Sequence, residues 1–264
     1  MQKIWLLLLL PLFALKAQAE IILVPHQTLA TPTVYWEKPE SKGVLIFMPG
    51  GSGSFNLTKK SNPQPSWVLR SLLQATPPKG GFDLVFMDSD LSLQGDFGDP
   101  WLRLAARRSS DHIDRMKTTI EFYAKKTKKP VYLIGHSNGA VSIAEFLNQS
   151  PSNQKMVAGV IFSASRNETD VKQPLDLPVL VMHHQNDPNR WTRFPDAEKL
   201  FDRIKKSNKG RTELSMVRGG QDEGGDPTHT GRHMYAGAVA ETLSQASGST
   251  TPFAGRWIRH LQGD

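Results

Sequence analysis

Gly135-His136-Ser137-Asn138-Gly139 reads Gly-x-Ser-x-Gly and directly follows the apolar run 131–134. A serine set on a sharp strand-to-helix turn has a strained backbone, and only small neighbours on both flanks permit it. The turn lifts the hydroxyl above the sheet, beside the N-terminus of the following helix. Unaided, that hydroxyl is a weak nucleophile. It needs a base to take its proton and an acid to orient the base.

The order expected on such a scaffold is serine, acid, histidine. The apolar run 179–182 leads into His183-His184-Gln185-Asn186-Asp187-Pro188, which places Asp187 just past a strand end. Asp187 is the candidate acid; Asp170 and Asp176 precede that strand, on its wrong side. After the run 214–217 comes a polar loop carrying His229 and His233. His233, at the start of a closing helix, is the preferred base, with His229 as the alternative. His183 and His184 precede the acid and read as packing and hydrogen-bonding groups. His136 either orients the elbow or lines the site.

Attack on a carbonyl also requires N–H donors for the developing oxyanion. One is the amide of Asn138, the residue after the nucleophile. The second is expected from Pro49-Gly50-Gly51-Ser52-Gly53-Ser54, after the run 44–48, where glycine lets the backbone approach a ligand closely. Gly51 is preferred, with Ser52 next. A phosphate-binding loop is excluded because no Gly-Lys-Ser/Thr follows, and a dinucleotide fingerprint is absent.

Apolar runs at 44–48, 84–87, 131–134, 157–162 and 179–182 are unbroken rather than alternating, as strands buried on both faces are, and 214–217, interrupted by Ser215, reads as the last strand. Helical spacing falls between them, at 66–74, 111–126 with Asp111 as N-cap, 140–147 and 196–206. This alternation predicts an α/β domain with a mostly parallel central sheet and helices on both faces. Residues 34–36 read as an early edge strand. Residues 88–110 read as a long connection after a strand end, where functional loops concentrate. Phe97 and Trp101 within it either line a pocket or pack the loop down.

The chain has 264 residues, 32 Lys+Arg, 25 Asp+Glu and no Cys. Without Cys there is no disulfide, thiol nucleophile, Cys-ligated zinc or iron–sulfur cluster. The net charge of +7 includes Lys3 and Lys16. The basic clusters at 125–129 and 205–211 close predicted helices, where cations oppose the negative dipole end. With no recognition motif beside them, no nucleic-acid partner is expected. Residues 1–19 read as a signal peptide: Lys3, an apolar run, then Ala17-Gln18-Ala19. The run is too short for a membrane span of about 20 residues. An uncleaved anchor is the alternative. The expectation is one exported domain over residues 20–264, periplasmic, without stable membrane insertion after cleavage.

With these motifs in place the chain resembles the α/β-hydrolase superfamily across nearly its whole mature length. Within it, the sequence is similar to exported bacterial hydrolases of undefined substrate. The echoes are Met48-Pro49-Gly50-Gly51-Ser52-Gly53, Trp67-Val68-Leu69-Arg70-Ser71, His183 through Pro188, and Asp226-Pro227 leading to His233-Met234-Tyr235-Ala236-Gly237. Such proteins often carry Cys where Asn189 and Thr228 stand here, so a loop-tying disulfide is absent. Met234 replaces a glycine after the final histidine. The resemblance supports His233 over His229. It implies a serine esterase with triad Ser137, Asp187 and His233, an oxyanion hole from Gly51 and Asn138, and a small-molecule or lipid-like acyl substrate. It implies neither cofactor nor metal. An acyltransferase with the same triad and a non-catalytic envelope scaffold are the alternatives. The segment between Phe162 and Val179 is too short for a large cap domain, so an open site is expected.

Overall fold

A computed structural model describes residues 19–27, 29–51, 53, 57, 82–88 and 100–217. The described strands are β1 (Ala19–Val24), β2 (Thr31–Trp36), β3 (Gly43–Met48), β4 (Phe82–Met87), β5 (Val131–His136), β6 (Gly159–Ser163), β7 (Val179–His184) and β8 (Thr212–Val217), the apolar runs from residue 44 onward forming β3 to β8. They join one sheet in the order β1-β2-β4-β3-β5-β6-β7-β8. From β4 to β8 every neighbouring pair is parallel; β1 and β2 run antiparallel at one side.

The described helices are α1 (Pro100–Arg108), α2 (Ser110–Thr127), α3 (Asn138–Gln149), α4 (Pro151–Lys155) and α5 (Phe194–Ser207). Register assigns the faces. Ile46 pairs with Leu133, Leu133 with Val160, and Val160 with Val179, so these residues line one face. Ile113, Met116 and Ile120 of α2, Ile143 and Leu147 of α3, and Leu200 and Ile204 of α5 pack against that face in one apolar core. Leu45, Phe47, Ile134, Leu180 and Met182 point to the other face and are equally buried. Burying side chains of this size contributes roughly 1.5–3 kcal/mol each, and burial on both faces is why their runs are unbroken.

Three sequence expectations need correction. Residues 34–36 belong to β2, which is not an edge strand: Ala19 to Val24 pair along it from Trp36 to Thr31. The N-cap of α2 is Ser109, whose Oγ accepts from the His112 N–H at 3.2 Å. Asp111 lies two residues further in and takes Arg115 Nε at 2.7 Å instead. The segment 88–110 is not wholly loop, because its last third is α1, opened by Pro100. Proline suits a first helical turn, where its missing N–H has no partner to lose.

Helix α2 ends where Lys128 takes a left-handed conformation at φ 59°, its N–H on the Ala124 carbonyl. Pro130 follows and turns the chain into β5. Between β6 and β7, residues 164–178 hold no helix or strand, in agreement with an architecture lacking a large cap. Among the described residues no helix is long and apolar enough to cross a membrane.

Candidate functional site

Ser137 stands between β5 and α3 at φ 52° and ψ −115°, a conformation strained for any residue with a Cβ. Three contacts impose it. The Ser137 N–H donates to the Ser163 carbonyl at 2.9 Å, and the Ala140 N–H closes onto the Ser137 carbonyl at 3.0 Å. The third is steric. A Cβ on Gly135 would lie 2.5 Å from the Gly139 carbonyl oxygen, and one on Gly139 would lie 2.0 Å from that of Met48. Both flanking glycines are therefore required by close backbone approach. Ser137 itself is partly exposed, while its neighbours on both sides are buried.

The loop after β3 lies directly against the serine. A Cβ on Gly50 would meet the Ser137 Cβ at 3.0 Å. Gly51 adopts φ 59°, and the Gly53 N–H donates to the Gly50 carbonyl at 3.0 Å, closing a turn. Asn138 ties this loop to the elbow: its Nδ2 donates to the Gly51 carbonyl at 2.8 Å. The Asn138 backbone N–H is in the first turn of α3, where amides have no intrahelical acceptor.

Asp187 follows β7 with its side chain fully buried. Its Oδ1 accepts from the Asn189 N–H at 2.9 Å and its Oδ2 from the Thr192 hydroxyl at 2.8 Å. His183 Nε2 is 3.5 Å from Oδ2 but donates to the Thr192 carbonyl at 2.8 Å. His183 is 0% exposed, so it packs and orders this loop. His184 Nδ1 accepts from the Asn186 N–H at 3.0 Å. Only β6 lies between the strands that carry Ser137 and Asp187, so the two residues leave the sheet at the same end, two strand spacings or roughly 10 Å apart.

His136 is 4% exposed, with Nδ1 3.2 Å from the Ser163 hydroxyl and its ring close to Gly50. It is buried beneath the loop. Trp101 is the second residue of α1, and its side chain lies outside the described residues, as do Phe97, Ser52, His229 and His233. Among the described residues no cluster of three or more His, Asp or Glu side chains could hold a metal. A cleft of about 390 Å³ opens elsewhere on α3, beside Glu145, Asn148, Asp170 and Arg203, and none of the candidate catalytic residues lines it.

Two buried arginines that brace the candidate site escaped the sequence reading. Arg166, 5% exposed, donates from Nη1 to Asn138 Oδ1 at 3.1 Å and is gripped by both Glu168 oxygens at 2.8 Å. Burial raises the Glu168 carboxyl, but the Arg166 hydrogen bonds and charge outweigh it, so the group sits below its ordinary range. The Arg166 guanidinium also stacks 5.0 Å from the Trp191 ring, on the loop that carries Asp187. Arg107, 1% exposed on α1, reaches the carbonyls of the loop after β3.

A family model described as lecithin:cholesterol acyltransferase matches residues 100–167, which include α1, α2 and the Ser137 elbow. Among curated proteins no sequence matches. Solved structures do resemble the chain. A dienelactone hydrolase from Anabaena variabilis is 14% identical at TM-score 0.61, over 92% of this chain and 98% of that one. An esterase from the archaeon Pyrobaculum calidifontis is 12% identical at TM-score 0.59, over 90% and 86%. A lidless α/β serine hydrolase from Xanthomonas campestris is 13% identical at TM-score 0.54, over 92% and 98%. The sheet order, the strained serine turn and these likenesses agree: the chain has the α/β-hydrolase fold.

Proposed function

We propose that the protein is a serine hydrolase acting on carboxylic esters. The observation that carries this reading is the backbone of Ser137, strained at φ 52° between β5 and α3 and pressed against Gly50. Such strain persists only where the surroundings over-determine it, and it concentrates at functional sites. In the proposed mechanism Ser137 Oγ attacks the acyl carbon while His233 takes its proton. Asp187, its carboxylate already fixed by Thr192 and the Asn189 amide, holds the imidazole and stabilises its charged form. The amides of Gly51 and Asn138 receive the oxyanion. His233 then returns the proton to the leaving alcohol and activates water against the acyl-enzyme.

The test is labelling of the purified protein by a fluorophosphonate. Labelling should be lost in Ser137→Ala and His233→Ala and kept in His229→Ala. A folded wild-type protein that resists the reagent would refute the reading.

The match to the acyltransferase model across the elbow favours a second reading, acyl transfer to an alcohol in place of water. Product analysis with competing alcohols separates the two. Export to the periplasm after removal of residues 1–19 is part of the same proposal. Fractionation of expressing cells, with N-terminal sequencing of the mature chain, tests it.

A further inference from the structure

Arg107 is a buried cation spent on main-chain carbonyls. Its Nη2 donates to the Pro49 carbonyl at 2.8 Å and lies 3.4 Å from that of Gly50 and 3.3 Å from that of Gly51. Its Nη1 is buried without a hydrogen-bond partner among the described residues. Burial pushes its pKa down to about 10, opposed by the charge of Asp88. Three neutral carbonyls do not require a cation. A neutral donor would serve them without the several kcal/mol that desolvating an ion costs. The buried Asp88 carboxylate, 2% exposed, answers part of the charge, but the fork itself is aimed at the carbonyls of the 49–51 loop.

Peptide geometry gives that aim a consequence. In a trans peptide the carbonyl and the following N–H point in opposite directions from one plane. The Pro49 carbonyl shares its peptide with the Gly50 N–H, and the Gly50 carbonyl shares its own with the Gly51 N–H. A guanidinium that gathers these carbonyls on one side turns the amides to the other. It also draws electron density toward the oxygens, which strengthens the N–H groups as donors. Across so thin a loop its charge favours an anion, and burial keeps that field from being screened as it would be in water.

The geometry points to Arg107 as a positioning residue for the transition state, which acts through the 49–51 loop on the developing oxyanion without touching substrate. This rests on the serine-hydrolase reading of Ser137. Arg107 orients and polarises the Gly51 donor from below, while the Asn138 side chain steadies the same loop from the elbow.

The experiment compares wild-type, Arg107→Met and Arg107→Lys protein on p-nitrophenyl butyrate. Each is also titrated with a trifluoromethyl ketone of the same acyl length, whose serine adduct carries the oxyanion, and melting curves establish that each is folded at assay temperature. Arg107→Met should lower kcat about 100-fold, the scale for loss of one oxyanion donor, with KM within about threefold. The ketone's inhibition constant should rise by the factor that kcat/KM falls, as for an interaction made only in the transition state. Arg107→Lys keeps the charge but not the fork and should recover about tenfold. If Arg107→Met does not fold, Arg107→Lys decides alone, with about a tenfold loss expected in both readouts. Wild-type turnover in either folded variant overturns the inference. So does a fall in kcat with ketone affinity unchanged, the signature of a merely structural arginine. Wild-type protein that neither hydrolyses the ester nor binds the ketone overturns the serine-hydrolase reading itself.

Discussion

Arg166 and Asn138 form a joint between two loops: Arg166 Nη1 donates to Asn138 Oδ1 at 3.1 Å, and Asn138 Nδ2 passes the constraint to the Gly51 carbonyl at 2.8 Å. The amide orientation of Asn138 follows from this pairing, because the oxygen must face a donor and the nitrogen an acceptor. Arg166 is itself fixed by Glu168 and by its stack on Trp191. The segment after β6 thus steadies both the proposed oxyanion loop and the loop of the proposed acid.

Arg166→Met removes the donor that sets the Asn138 side chain. We expect folding to survive with a loss of about 1.5–3 kcal/mol, the scale for a hydrogen bond to a charged group. Turnover of p-nitrophenyl butyrate should fall about tenfold through the loosened 49–51 loop. Steady-state kinetics and urea denaturation check the two effects separately.

Two glycine substitutions should fail differently. Gly139→Ala drives a methyl group to 2.0 Å from the Met48 carbonyl oxygen, a main-chain atom that cannot step aside. The variant should not accumulate as folded protein. Gly51→Ala meets no atom within 4 Å among the described residues but must hold φ 59°, a strain of about 1–2 kcal/mol. It should fold with a slightly lower melting temperature and react more slowly with the fluorophosphonate. Soluble expression and labelling rate distinguish the two.

At the opposite end of the sheet, the fully buried Asp83 carboxylate collects Lys129 Nζ at 2.8 Å, the Ser41 hydroxyl at 2.6 Å and the Lys38 N–H at 2.8 Å. Asp83→Ala leaves these donors facing one another and should cost about 3–5 kcal/mol. The surviving folded protein should label at the wild-type rate, since the node lies at the N-terminal ends of β3 and β4. Chemical denaturation beside labelling kinetics tests this division of labour.

Glu168 gives a pH dependence whose sign can be stated. Its carboxyl is held below the ordinary value of 4.5, so the folded state releases its proton more readily than the unfolded chain. Its stabilising contribution is complete above pH 4.5 and is lost as pH falls through the depressed folded value. The stability difference between wild type and Glu168→Gln should be constant from neutral pH down to about 5 and shrink below it. At 20% exposure the difference should be about 1 kcal/mol or less. Urea titrations at several pH values measure it.

What could be read in advance depended on distance along the chain. The Ser137 elbow was legible because its steric demand is local: five consecutive residues state it. β3, β5 and β7 were legible because burial on both faces leaves an unbroken apolar run. β1 was missed because it is largely exposed, with Leu23 54% open, and begins where the leader was expected to end. Ser109 lost the capping role to Asp111 on paper because both residue types cap helices and only the first turn's geometry decides. Arg107 and Arg166 could not be anticipated. Their partners lie 58 and 28 residues away, and nothing in an arginine's own neighbourhood says which carbonyl it will meet.

The sheet order has a consequence for timing. β3 lies between β4 and β5, and each of its pairings is parallel, so neither can form as a local hairpin. Ser137, Asp187 and Gly51 follow β5, β7 and β3, three strands that become near neighbours only when these long crossovers close. Before that the serine has no elbow and the loop has no arginine beneath it. The proposed chemistry is therefore latent in the unfolded chain, and recovery of fluorophosphonate labelling on refolding should follow closure of these crossovers rather than formation of any single strand pair.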